Sequence, residues 1–208
     1  MRSDKYYGTL RYNYVIPEGA RGQSVSFTFS VTSSDGKTAS YKMGPYTISK
    51  MSINRNLAVS NGVNAYISIE DMAVYNAAAA AATPGKIDLV YLFRAAPTTF
   101  THALVSPAAD AAYLPGVTLP AGLNRSTKLR KVFNLQDRNL ANLQFGIYVD
   151  DVDLINVDMV DMPNYAIGLR AEAGVWVETA DKKYRAYIFV NSINAAGTAV
   201  ISMLRYIL

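Results

Sequence analysis

The sequence predicts a mainly β protein with minor α, built as a β-sandwich. Three observations carry that expectation. Val25, Phe27, Phe29 and Val31 alternate with Ser24, Ser26, Thr28, Ser30 and Thr32. A period of two puts one set on a dry face and the other in water. Ile87 to Phe93 is nearly all apolar, the signature of a central strand covered on both sides. The last forty residues break into short apolar runs separated by turn residues, which reads as an antiparallel meander.

Taken in order, Tyr6 to Ile16 reads as a strand with Leu10, Tyr12, Tyr14 and Ile16 on one face. Pro17 to Gly22 is a turn. Ser33-Ser34-Asp35-Gly36-Lys37 closes a hairpin, because Asp-Gly supplies the left-handed conformations a tight turn needs. Thr38 to Ile48 returns, and Gly44-Pro45 within it marks a bulge or an edge. Residues 5–50 thus give about four strands, fewer than the seven of a full immunoglobulin-type sandwich. Asn54 to Asn64 reads as a connection, with Asn61-Gly62 as a turn.

Ala65 to Ile69 is a short strand. Asp71 to Ala82 reads as a helix rich in alanine, the best helix former, ended by Thr83-Pro84-Gly85. Thr98 to Val105 is a further strand. Ser106-Pro107 fits a helix cap with proline at the first position. Leu114 to Asn124 is a loop, and Gln136 to Gln144 a short helix. Tyr165–Ala171, Gly174–Thr179, Tyr184–Asn191 and Thr198–Tyr206 form the closing meander.

Composition bounds the function. The chain has 208 residues, half of them hydrophobic, enough for a real core. It contains 15 Tyr, which suits strand faces and surfaces that bind sugars or proteins. The net charge of +4 is mild, with the excess of Lys and Arg in the first 55 residues. No dense basic stripe or stacked-aromatic motif points to nucleic acid. Cysteine is absent, which excludes disulfides, thiolate zinc sites and a Cys nucleophile. No twenty-residue apolar run spans a membrane. Met1 to Asp4 leads into no signal core, and the start reads as trimmed.

Two segments resemble a known group of proteins. Ser24–Ser49 (SVSFTFSVTSSDGKTASYKMGPYTIS) looks like the last strands of immunoglobulin-like modules in Bacteroidetes surface lipoproteins. Gly174–Ile193 (GVWVETADKKYRAYIFVNSI) resembles a closing segment of such secreted proteins, with Lys182-Lys183 where a glycine is usual. The whole chain is similar to uncharacterised Bacteroidetes proteins, some carrying a lipid-binding label. The resemblance implies an immunoglobulin-like N-terminal module, residues 1–53, ahead of a β-rich α+β domain, residues 54–208. It also implies an extracellular, outer-membrane-surface or periplasmic setting, with a lipid anchor supplied upstream of Met1. It carries over no functional residue.

The candidate chemistry is sparse. His102 is the only histidine, so a Ser-His-Asp triad would have to use it, and no serine lies in a G-x-S-x-G setting. In its Thr/Ala strand it reads as structural. Asp150, Asp151 and Asp153 could offer oxygens to calcium, but the segment lacks the EF-hand glycine and glutamate and reads as an amphipathic element with a solvated acidic face. Glu70–Asp71 and Glu172–Glu178 are the formal carboxylate pairs for glycoside hydrolysis. Trp176, flanked by Val175 and Val177, reads as core.

The expectation is therefore a non-enzymatic extracellular or cell-surface protein binding a glycan, lipid or protein. It needs no cofactor and no metal, and no catalytic or ligand-binding residue is assigned. A carboxylate hydrolase and an adhesin or assembly subunit are the alternatives.

Overall fold

Alternation in the first strand holds over Val25, Phe27 and Phe29, but Val31, expected on the dry face, is exposed. A computed structural model of the chain describes residues 11–17, 19–133 and 149–208. It divides into two units, Met1–Lys50 and Met51–Leu208. In the first, β1 (Ser24–Thr32) pairs antiparallel with β2 (Thr38–Thr47). Val25, Phe27 and Phe29 are half-buried, while Ser30–Ser40 and Thr32–Thr38 join hydroxyls across the wet face at 2.7 and 2.9 Å.

Gly36 turns the hairpin at φ +82°, and the ladder slips by one residue at Gly44-Pro45, as the dipeptide foretold. Gly44 sits at φ +101°, where a Cβ would meet the Val25 carbonyl oxygen. The four-strand expectation is corrected. Residues 11–17 carry no strand, and residues 6–10 lie outside the described ones. Tyr12 and Tyr14 instead set their rings edge-on to Phe27, 6.0 and 5.2 Å between centroids, so their alternation serves ring packing rather than a backbone ladder.

The second unit holds two five-stranded antiparallel sheets. Its strands are β3 (Met51–Ser60), β4 (Asn64–Ser68), β5 (Ala73–Asn76), β6 (Leu89–Arg94), β7 (Thr101–Val105), β8 (Lys128–Val132), β9 (Tyr165–Leu169), β10 (Gly174–Glu178), β11 (Tyr184–Ile193) and β12 (Thr198–Ile207). One sheet runs β3-β12-β11-β10-β8 and the other β5-β4-β6-β7-β9.

Between them lies one core, with Leu89, Tyr91 and Leu104 from one sheet against Val175, Val177, Ile188, Ile201 and Met203 from the other. Each fully buried aliphatic side chain there contributes about 1.5–3 kcal/mol. Each sheet also buries its outer face. Val90, Leu92, Ala103 and Val105 pack under Ala80 of α1 (Ala77–Ala82) and the loop carrying Leu114, Val117 and Leu123. Trp176, Tyr187, Phe189 and Leu204 pack under Leu154 of α2 (Asp151–Asn156) with Val149 and Met159. The apolar strand β6 is thus the middle strand of its sheet and dry on both faces, as expected.

Four expectations are corrected. Asn54–Asn64 is mostly strand β3. Asn54-Arg55-Asn56 interrupts its apolar alternation, and there the ladder to β12 slips, with Asn56 at φ +59°. The slip moves Met51 and Ile53 to the outer core while Leu57 and Val59 face the inner one. Because β3 begins at Met51, residues 51–53 stand in the second unit.

The alanine helix starts at Ala77, not Asp71. Asn76 caps it by accepting from the Ala79 N–H at 2.9 Å, and residues 73–76 form β5. Ser106 opens no α-helix. Its buried hydroxyl accepts from Thr127 N–H at 2.9 Å and donates to the Arg125 carbonyl at 2.5 Å. The closing meander is β10-β11-β12, since β9 pairs with β7 in the other sheet. The Gln136–Gln144 helix lies outside the described residues.

Candidate ligand cleft

At the end of β6 two strands leave regular geometry side by side. Thr101, the first residue of β7, has φ +40°, a strained value for a β-branched residue. Opposite it β9 carries an extra residue against β7, with Gly168 at φ +64°. A Cβ on Gly168 would stand 3.0 Å from the Thr99 carbonyl oxygen, so the close approach of the two backbones requires glycine. The paired irregularities open a cleft of about 890 Å³, within the range of ligand sites. Phe93, Thr98, Thr101, His102, Lys131 and Arg170 line it, together with Phe133, Ile193 and Ala195. Phe93 also borders a smaller cleft of about 480 Å³ on the other side of β6.

The cleft is cationic. Lys131 donates to the Ile167 carbonyl at 2.6 Å, and its ammonium lies 5.2 Å from the Phe133 ring centroid. Burial, then the neighbouring Arg170 charge, pulls its pKa below the ordinary value. Arg170 is exposed and, among the described residues, makes no side-chain hydrogen bond or ion pair. No Asp or Glu is among the described lining residues.

His102 forms the back wall and is 4% exposed. Its Nδ1 lies 2.6 Å from the Tyr91 hydroxyl, and the ring also bonds the Asn194 backbone carbonyl. The arrangement fits an Nε2–H tautomer donating to Asn194 while Nδ1 accepts from Tyr91. Burial lowers its pKa, so the ring is held neutral. Both ring nitrogens of His102 are thus engaged within the protein.

The remaining sequence candidates stand elsewhere. Glu70 and Asp71 both reach Lys86, at 3.7 and 2.8 Å, and Asp71 also accepts from Tyr75. Glu172 lies in the turn before β10 and Glu178 at that strand's far end, with the strand's own length of about 13 Å between them, and they do not converge. Glu178 instead takes Arg185, whose guanidinium also caps the Leu154 and Ile155 carbonyls at the end of α2. Asp150 and Asp153 form a reciprocal capping box at the start of α2, and Asp151 beside them is half-buried. Trp176 is buried, its ring 4.8 Å from that of Tyr187.

Sequence reading missed Phe93, Lys131, Gly168 and Arg170 because they come from three strands and a strand end far apart in the chain. The one local signal was a glycine inside the β9 pattern.

Comparison with known proteins places the fold in a lineage. The chain is similar to a crystal structure of a DUF4466 family protein from Parabacteroides merdae, a Bacteroidetes bacterium, at 42% identity and a TM-score of 0.80. The match covers 94% of this chain, which spans 66% of that one. No curated protein matches. Residues 1–48 match the domain of unknown function DUF4466, and residues 49–208, more than half of the chain, match the domain of unknown function DUF8576. By that match the protein belongs to the DUF8576 family.

Proposed function

We propose that this is a non-enzymatic binding protein of the bacterial cell exterior that takes a glycan in the cleft between the ends of β6, β7, β8 and β9. The observation that carries the reading is the cleft's construction. Two aromatic rings, Phe93 and Phe133, flank threonine hydroxyls and fixed cations where Thr101 and Gly168 depart from regular strand geometry. Backbone strain of this kind collects at functional sites, and aromatic faces with nearby polar groups suit sugar rings.

The exterior setting, the lipid anchor and a lipid ligand as rival occupant rest on the resemblance to Bacteroidetes surface proteins. A glycan array followed by calorimetry tests the reading. Binding that weakens with Phe133→Ala supports it. Absence of binding to any glycan at high micromolar concentration, or binding indifferent to Phe133→Ala, sinks it.

A second reading, an assembly subunit, is favoured by one observation. Among the described residues the β1–β2 sheet has two strands, and each has one edge without a backbone partner. Light scattering that shows growth of oligomers with concentration supports this reading, and a constant monomer mass removes it.

A further inference from the structure

The lining of the cleft says something about its ligand beyond shape. Two cations share it with no carboxylate among the described lining residues. Among the described residues of this unit, Lys86 is matched by Glu70 and Asp71, Arg125 by Asp88 and Asp181 and Arg185 by Glu178, while Lys128, Arg130 and Arg205 bond backbone carbonyls. Like charges held together destabilise each other unless a counter-charge arrives, and Lys131 already feels Arg170 in this way.

The two are also held ready. Lys131 is tethered by the Ile167 carbonyl and the Phe133 ring yet keeps two of its three N–H donors for a ligand. Arg170 follows β9 directly, one residue past its last position, and offers a planar fork suited to a two-oxygen anion. Among the described residues no helix N-terminus lines the cleft, and none there supplies the backbone cradle that phosphate favours.

We infer that the ligand is an acidic sugar, and that its carboxylate or sulfate sits between Lys131 and Arg170 while a ring face rests on Phe93 or Phe133. The inference rests on the glycan reading above and adds the charge class. Threonine hydroxyls in the lining supply partners for sugar hydroxyls, which an acyl chain would leave unsatisfied.

Calorimetry with four probes tests it: a galacturonic acid trisaccharide, galactose 6-sulfate, a neutral galactose trisaccharide, and phosphatidylglycerol vesicles. Each is measured at low and high salt, on the full chain and on Arg170→Glu. At least one acidic sugar binds, weakens with salt, and outbinds the neutral trisaccharide about tenfold, the worth of one charge-assisted contact. Which of the two binds separates a carboxylate from a sulfate.

Arg170→Glu lowers that affinity about tenfold or more while its melting temperature stays with the parent's. Equal binding of neutral and acidic sugars, or an unchanged affinity in Arg170→Glu, overturns the charge assignment and leaves the glycan reading standing. Binding of vesicles but of no sugar overturns both, as does binding of none of the probes.

Discussion

The two ends of β6 handle charge in opposite ways. At its start, Asp88 is 1% exposed and fully partnered. Its carboxylate accepts from the Ile69 N–H at 2.9 Å and from Thr127, and lies 2.8 Å from Arg125. Arg125 also reaches Asp181 in the β10–β11 turn at 3.1 Å and donates to the Gly85 carbonyl at 2.7 Å. One guanidinium therefore ties the loop ahead of β8 to both sheets.

At the other end, about 16 Å along the strand, Lys131 and Arg170 face an open cleft with no carboxylate among the described lining residues. A buried charge must be matched within the protein or cost several kcal/mol, whereas a partly hydrated cation can wait for a partner. The first end holds the fold together, and the second does not commit its cations in that way.

Breaking the closed end has the largest expected effect. Asp88→Ala strips Arg125 of its buried partner and orphans the Ile69 N–H. We expect a loss of about 3 kcal/mol at neutral pH, measured by urea unfolding. A loss below about 1 kcal/mol would remove the contrast between the two ends.

Protonation is of comparable size. Burial pushes the Asp88 carboxyl up to about 6, only partly offset by the Ile69 N–H and by Arg125, whose charge is shared with Asp181. The Arg125 Nε is close to the carboxylate but poorly aligned for a hydrogen bond, which weakens that offset. The folded state therefore holds the proton more tightly than the unfolded chain. The contribution of Asp88 to stability therefore falls as pH rises from about 4 to 6, by about 3 kcal/mol in total.

His102 acts in the opposite sense. Its lowered pKa makes the fold lose stability as pH drops below the ordinary histidine value. Asp88→Asn should flatten the slope between pH 4 and 6, and an unchanged slope in that variant would assign the effect to another group.

The open end responds less. Gly168→Ala puts a side chain at φ +64° and against the Thr99 carbonyl, for a cost of about 1–2 kcal/mol. The altered cleft should show in the amide NMR shifts of Thr99 and Thr101. Smallest is Arg170→Ala, expected within about 0.5 kcal/mol of the parent in stability. A larger loss there would mean that Arg170 holds the fold as Arg125 does.

The layers were legible where one local rule governed. The dry-wet alternation of β1, the two-sided apolarity of β6 and the Asp-Gly turn each need only a few neighbouring residues. The missed strand and the shortened helix show where local rules compete. Asn54-Arg55-Asn56 looked like a linker because the bulge that moves β3 from one core to the other is imposed by β12, far off in the chain. Asp71 looked like a helix start because its true partner, Lys86, is fifteen residues away.

Periodicity, turn chemistry and the missing cysteines were enough to establish a two-faced β protein with no thiol chemistry, since each is a property of short stretches of chain. Neither the matched end nor the cationic cleft could be read that way. Asp88, Arg125 and Asp181 meet, and Lys131, Arg170 and Phe93 line one hollow, only because two sheets pair and stack. Charge is felt through space, and sequence separation carries no measure of that distance.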